Sequence, residues 1–273
     1  MVKLDKHELK KIKILHIWNS TSSGSTISKF MDKIYKTCSW VITRKRFEVV
    51  DHTTYGETSK LGAKLFTLKA LLMARNYDII HVHAFYKIIP YLKLIYPNKK
   101  ILLHYRGADI RGIWDKKYKY WSKADLIFVS TEDILEGAPS GTIHIPRAVD
   151  TDFFYPRGTS NPGTAFSIPY MADDLAKKYA EENDLILTFG GGVKNPIKYI
   201  EFGGVLSKYE YYIDVKRSKG KILEALSKTG LESLACGLKV IRWDGRVVKE
   251  LPTRNLPENV VKKLFNVYLE VLN

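Results

Sequence analysis

The sequence predicts an α/β fold of two doubly wound, parallel-sheet domains facing a cleft. Three observations carry that expectation. Short apolar runs alternate with helical patterns from one end of the chain to the other. The 273 residues accommodate two domains of roughly 100–150 residues each. A Pro/Gly/Ser-rich passage, "IHIPRAVDTDFFYPRGTSNPG", interrupts the alternation near the middle. The boundaries that follow are 1–150 for the first domain and 151–254 for a shorter second one. Residues 255–273 form a closing helix that can pack back on the first domain.

Each element has its own signal. A basic start (Lys3, Lys6, Lys10, Lys11, Lys13) leads into the apolar strand Ile12–Trp18. The small-residue loop "NSTSSGSTIS" follows, and a helical pattern begins near Ser25. Further extended runs are Phe47–Val50, Ile79–Val82, Ile101–His104 and Leu126–Ser130, with helical stretches at Lys60–Arg75, Pro90–Ile95 and Trp114–Lys123 between them. After the linker come strand Ala165–Ile168, helix Asp173–Glu182, strand Leu185–Phe189, helix Phe202–Lys208 and strand Tyr211–Val215. A short helix after Ser227 and strand Leu238–Trp243 complete the second domain. The last helix has Asn255 as its expected cap, Pro257 in its first turn, and Val260, Leu264, Val267 and Val271 as its apolar stripe. In such sheets ligands bind beyond the carboxyl ends of the strands, so those loops are where chemistry is expected.

Composition narrows the function. Forty-four Lys and Arg against 29 Asp and Glu leave a net charge of +15, which suits nucleic acid, an anionic membrane surface or an anionic small substrate. Two cysteines, Cys38 and Cys236, are too few for a disulfide framework, so a reduced, cytoplasmic setting is expected. No apolar run reaches the ~18–20 residues that span a bilayer. "KLGAKLFTLKALLMAR" sets Lys64 and Lys69 beside Leu65, Phe66, Leu68, Leu71 and Leu72. Core packing is the first reading of that helix, and a membrane-peripheral role is the second.

The most informative stretch is "SKTGLESLACGLKVI", residues 227–241. Ser227 is a good N-cap, and a helix N-terminus attracts anions. Lys228 adds charge, Thr229 a hydroxyl, and Gly230 permits close approach. An ordinary capped helix explains Ser227, but it does not explain Glu232 among the small residues, or Glu224 eight positions upstream.

With its flanks, "EALSKTGLESLACGLKVI" resembles the signature of family 4 retaining glycosyltransferases, which have the GT-B fold. The resemblance implies that Glu232 holds the ribose of a nucleotide-sugar, that Glu224 contacts the donor sugar, and that the intervening amides take the diphosphate. "IPRAVDTDFFYP" resembles the family's interdomain stretch, with Arg147 and Ala148 in place of Asn-Gly. "DIIHVH" and "LLHYRGADIRG" resemble its amino-domain strand ends, "WNSTSSGS" its first glycine-bearing loop, at Gly24, and "YEYYIDV" the strand before the glutamates. The family's Arg/Lys pair after the first strand of the second domain is missing from "FSIPYMADDLAKK". Lys228 is the expected replacement and Lys194 the second choice, with Lys216 and Arg147 also candidates. Arg106 stands where the family has its catalytic histidine, which leaves His104 two positions earlier.

The function so implied is metal-independent sugar transfer, with retention, from a nucleotide-diphosphate sugar to a lipid-linked, glycan or protein acceptor. The donor is a co-substrate, and no cofactor is expected. A family member that binds the donor without transferring it and a basic nucleic-acid-binding protein are the alternatives. A basic nucleic-acid-binding protein lacks a recognition motif here, and a nicotinamide oxidoreductase lacks its fingerprint. "TFGGGVKNP" matches no phosphate-loop pattern, Asp150 and Asp152 of "DTD" sit in a linker, and His81 and His83 share one strand face without accompanying carboxylates or cysteines.

Overall fold

The computed structural model describes residues 11–44, 51–168, 170, 172–191, 196–218 and 220–273. The first sheet is built from β1 (Lys13–Ile17), followed by α1 (Ser23–Tyr35), β2 (Cys38–Arg44), β3 (Glu57–Ser59), α2 (Ala63–Ala74), β4 (Ile79–His83), α3 (Ile89–Ile95), β5 (Lys100–Tyr105), α4 (Tyr118–Trp121), β6 (Leu126–Val129) and β7 (Ile143–His144). Its seven strands are all parallel, in the order β3-β2-β1-β4-β5-β6-β7. Such strands are covered on both faces, which is why all five residues of β4 are buried. One face packs under α2 and α3 through Leu15, Ile17, Phe66, Ala70, Ile80, Val82 and Leu92.

The second sheet takes β8 (Asn161–Ser167), then α5 (Asp173–Glu182), β9 (Ile186–Phe189), α6 (Tyr199–Leu206), β10 (Tyr209–Asp214), the hairpin β11 (Arg217–Ser218) and β12 (Lys221–Ile222), α7 (Lys228–Ala235), β13 (Lys239–Arg242) and β14 (Val247–Val248). Its order is β14-β13-β10-β8-β9, parallel except at the β14 edge, with β11 and β12 forming a separate ribbon. The final helix α8 (Pro257–Leu272) lies on the opposite face of the first sheet from α2 and α3. There Val260, Leu264 and Tyr268 pack with Ile14, Phe30, Ile79 and Leu102.

The strands expected at β1, β4, β5, β6, β9, β10 and β13 form within a residue or two, and α5 spans the residues read for it. The strand expected at Phe47–Val50 lies outside the described residues. Strands β2 and β3, not among the expected elements, build that edge of the first sheet. β8 begins at Asn161, inside the passage read as linker, because it pairs with β10 from Tyr209 onward. Asn255 does not cap α8: Leu256 occupies that position, and the Asn255 amide instead donates to the Arg147 carbonyl at 2.8 Å. Asp150 and Asp152 serve as struts, taking Lys29 at 2.8 and 3.2 Å, with Lys33 on Asp152 at 3.1 Å.

Candidate active site

In each sheet the chain reverses its direction of travel once, and the loops beyond those two points diverge to leave a crevice. In the first sheet the reversal falls between β1 and β4; in the second it falls between β8 and β10. Trp18 follows β1, Ala84 and Phe85 follow β4, and Lys216 follows β10, and all four line one cleft of about 710 Å³ between the domains. The loops at the first reversal are strained. Trp18, Thr21, Ser22 and Ala84 are four of the six described non-glycine residues with left-handed backbone. Each costs of order 1–3 kcal/mol, a cost that clusters at functional sites.

The cleft is strongly cationic. Arg44, Lys87, Arg106, Arg111, Arg147, Lys216 and Arg217 line it, against one carboxylate among the described lining residues, Asp109. Arg147 belongs to the linker and reaches both domains, donating from Nη2 to the Arg106 carbonyl at 3.0 Å and from Nη1 to the Leu226 carbonyl at 3.5 Å. Arg111 is tied to Asp133 at 2.7 Å. Lys216 lies over the Tyr170 ring at 4.0 Å. Burial lowers the pKa of Arg106 to about 9, with Arg147 adding repulsion, and burial also lowers Arg147 and Lys216. Cations crowded and half-desolvated in this way bind an anion more strongly than exposed ones.

Arg106 is held from behind by a layer of four histidines on the α1/α8 side of the sheet. His16 (β1), His81 and His83 (β4) and His104 (β5) are wholly buried. The Arg106 Nη2 group bonds His83 Nδ1, and its Nη1 donates to Ser130 Oγ at 2.9 Å, which in turn meets His104 Nε2 at 3.1 Å. A guanidinium only donates, so His83 Nδ1 accepts and its proton sits on Nε2, facing His16 Nδ1 at 2.9 Å. His81 Nδ1 bonds the Tyr268 hydroxyl of α8 at 2.6 Å. Burial keeps the layer neutral, with His16 lowered to about 3 and the others well below 6.5. His16, His81 and His83 bring ligand atoms within 4.8 Å of one another. A cation there would compete with Arg106 for His83, and the ring's lone pair already serves the guanidinium.

The glutamate segment has a different place. Ser227 caps α7, accepting the Gly230 amide on Oγ at 2.9 Å. The Asp214 carboxylate at the end of β10 accepts the Ser227 amide at 2.7 Å, so a carboxylate already occupies this helix terminus. Gly230 is required there, since a Cβ would stand 2.4 Å from Asp214 Oδ2. Glu232 is buried, its Oε1 bonded to the Tyr199 hydroxyl at 2.8 Å and 3.5 Å from Lys228 Nζ. Tyr199 also bonds Ser22 Oγ of the first domain at 2.7 Å, and Lys228 Nζ donates to the Ala148 carbonyl at 2.7 Å. Burial raises Glu232 and lowers Lys228, pushing both toward their neutral forms.

Of the residues read from the sequence, Arg106, Arg147, Lys216 and Ser227 line the cleft. Glu224 is exposed and lines a neighbouring recess of about 280 Å³, shared with Arg242 and Arg254, while Arg147 borders both spaces. His104 sits behind Arg106 rather than at the surface of the cleft. Gly24 lies inside α1, where a Cβ would meet Asn19 Oδ1 and the Trp18 carbonyl at 3.2 Å; Ser20 and Thr21 of its loop reach the cleft instead. Lys228, Thr229, Gly230 and Glu232 are buried behind the wall, and Lys194 lies outside the described residues. Arg44, Lys87 and Arg111 carry no role in the sequence-based expectation. Their signal is position: Arg44 ends β2, and the other two lie in loops leaving β4 and β5.

No family model matches the chain, and no curated protein matches it either. Among solved structures, UDP-GlcNAc 2-epimerase from Methanocaldococcus jannaschii aligns with a TM-score of 0.50 at 11% identity, over 93% of this chain and 100% of that one. Sucrose-phosphate synthase from Thermosynechococcus elongatus aligns with a TM-score of 0.48 at 12% identity, over 96% and 92% of the two chains. UDP-GlcNAc 2-epimerase from Neisseria meningitidis, bound to UDP-GlcNAc, gives 0.48 at 12%, over 96% and 93%. At such identities the likeness concerns architecture. Two Rossmann-like sheets facing each other across a cleft make this a chain of the GT-B fold.

Proposed function

We propose that the chain transfers a sugar from a nucleoside-diphosphate sugar to an acceptor, with retention and without a metal ion. The observation that carries this reading is the cation-lined cleft at the two points where the sheets reverse. In the transfer, the bond from the anomeric carbon to the diphosphate oxygen breaks, and the acceptor oxygen bonds to that carbon. The acceptor's proton leaves with the diphosphate. Charge develops on the departing oxygen, and a preorganised donor aimed at it is worth about 2.7–4 kcal/mol. Arg147 and Lys216 take that role here, and Arg106, braced by His83 and Ser130, faces the reacting sugar. Glu224 meets the sugar from the neighbouring recess. Retention and the acceptor class, whether lipid-linked, glycan or protein, rest on the sequence resemblance. A nucleotide-sugar donor is in keeping with the fold shared with the UDP-GlcNAc 2-epimerase of Methanocaldococcus jannaschii.

Glu232 is assigned to ribose by the same resemblance, and it would serve there in competition with Tyr199 and Lys228. One observation favours a second reading, binding without transfer: Glu224 lines the smaller recess rather than the main cleft. A thermal-shift screen with nucleoside diphosphates and their sugars tests donor binding, because a ligand specific to the native state raises its apparent stability. A shift with at least one diphosphate is expected, and none across the common bases would overturn the reading. Product formation in the presence of EDTA then separates transfer from binding alone.

A further inference from the structure

We propose that α2 and α3 together form a docking face for an anionic lipid surface, beside the mouth of the cleft. Both helices pack on the same side of the first sheet, through Phe66, Ala70 and Ala74 on α2 and Ile89 and Leu92 on α3. The Tyr96 hydroxyl, just beyond α3, donates to the Leu71 carbonyl of α2 at 2.9 Å, so the helices lie side by side. Their outer faces are apolar too. On α2, Leu65, Leu68 and Leu72 recur at three- and four-residue spacing opposite the buried stripe, continued backward by Leu61, and Leu72 is 64% exposed. On α3, Tyr91, Leu94 and Ile95 do the same, and Leu94 is 80% exposed. A helix apolar on both faces is expected at an interface, and a patch spanning two helices exceeds the scatter of single exposed leucines.

Charge chooses the occupant. Neither helix carries an acidic residue. Lys64, Arg75 and Lys87 are exposed around the apolar stripe, and no described carboxylate pairs with them. Apolar side chains rimmed by unpaired cations match the boundary between acyl chains and anionic headgroups. Position adds function: Phe85, Tyr86 and Lys87 line the cleft and run directly into α3. A molecule held at the headgroup level beside α3 therefore meets the cleft opening. The face stands on its own geometry; only its use to present a lipid-linked acceptor rests on the transfer reading.

Flotation with phosphatidylcholine vesicles, with and without phosphatidylglycerol, tests the face without any turnover. The wild type is expected to float with the anionic vesicles and to detach in high salt. Leu68→Ser with Leu94→Ser, both solvent-exposed, should keep the thermal midpoint and lower vesicle partition by about tenfold or more, as removal of leucines from an apolar contact does. Lys64→Glu with Arg75→Glu should remove the preference for anionic lipid. Wild-type partition that ignores lipid charge, no partition at all, or a leucine variant that floats like wild type would each overturn the proposal. So would a wild-type dimer that the leucine variant fails to form, since the face would then be a protein interface. A negative flotation result leaves the diphosphate-binding screen untouched, and a failed screen leaves flotation untouched.

Discussion

The α7 segment and the cleft wall hold the same kinds of side chain but use them differently. Behind the wall, Lys228 and Glu232 are paired with each other and bonded into the framework, to Ala148 and Tyr199. On the wall, Arg147 and Lys216 feel the Asp214 carboxylate, but their direct contacts are uncharged: two backbone carbonyls take Arg147 and a tyrosine face takes Lys216. A buried charge that is already satisfied stabilises an arrangement, whereas a desolvated cation facing an open cleft is prepared for an anion. The segment with the most specific sequence pattern thus braces the two domains, and cations from separate strand ends and the linker face the ligand space.

The largest expected effect probes the bracing. Glu232→Ala leaves the Lys228 ammonium buried without its carboxylate, and breaking such a pair costs about 3–5 kcal/mol. Chemical denaturation should show that loss even with no nucleotide present. The sequence alone leads to the expectation of an intact fold and weakened donor binding, so unchanged stability would return Glu232 to a purely ligand-facing role.

Arg147→Ala acts on the wall instead. Loss of a donor aimed at the leaving diphosphate should lower kcat/KM by about 10²–10³-fold. The measurement is steady-state kinetics with the nucleotide-sugar identified by the screen. An effect on KM alone would mean that Arg147 binds ground state and transition state equally.

The histidine layer behind Arg106 sets the response to acid. In the folded chain burial lowers His16 to about 3, and His81, His83 and His104 well below 6.5. Unfolded, they protonate near 6.5, so below that pH the unfolded chain binds more protons. Their contribution is complete above pH 6.5 and is lost as pH falls toward the folded values, by up to about 1.4 kcal/mol per pH unit for each histidine. Burial raises Asp109, Asp214 and Glu232, which act in the opposite sense at lower pH. His104→Gln should therefore show a shallower loss of stability between pH 7 and pH 5 than wild type. Equal slopes would mean that His104 is solvated.

The smallest effect belongs to the linker struts. Asp152→Asn removes a partly exposed partner of Lys29 and Lys33, and such pairs are worth about 0.2–1 kcal/mol. A larger loss in thermal unfolding would show that this strut fixes the angle between domains.

Periodicity made most of the fold legible, because parallel strands and amphipathic helices write their burial into residue spacing. It failed at β2, where "CSWVITR" offers only a three-residue apolar run and no clean alternation, and at Asn255, whose side chain reaches back to Arg147 rather than to its own helix. Capping chemistry located α7, and Gly230 proves to be the residue that Asp214 permits. The direction in which Glu232 and Lys228 point was not legible, since it depends on Tyr199 and Ala148, which lie 33 and 80 residues away. The cleft was legible only as strand ends. Arg44, Arg106, Arg147 and Lys216 come from four separate places in the chain, and topology alone brings them together.

The central claim, that cleft cations rather than the α7 terminus hold the diphosphate, is tested most directly on Lys216. It lines the cleft, and its ammonium rests on a tyrosine ring, with the Asp214 carboxylate acting on it electrostatically rather than through a direct ion pair. Calorimetric titration of a nucleoside diphosphate and of its parent nucleoside into wild type and Lys216→Met separates the phosphate contribution from that of the base. A charge-assisted contact is worth about 1.5–3 kcal/mol. The account predicts diphosphate affinity about 10–100-fold weaker in the variant, with nucleoside affinity unchanged. Undiminished diphosphate affinity in Lys216→Met would contradict it.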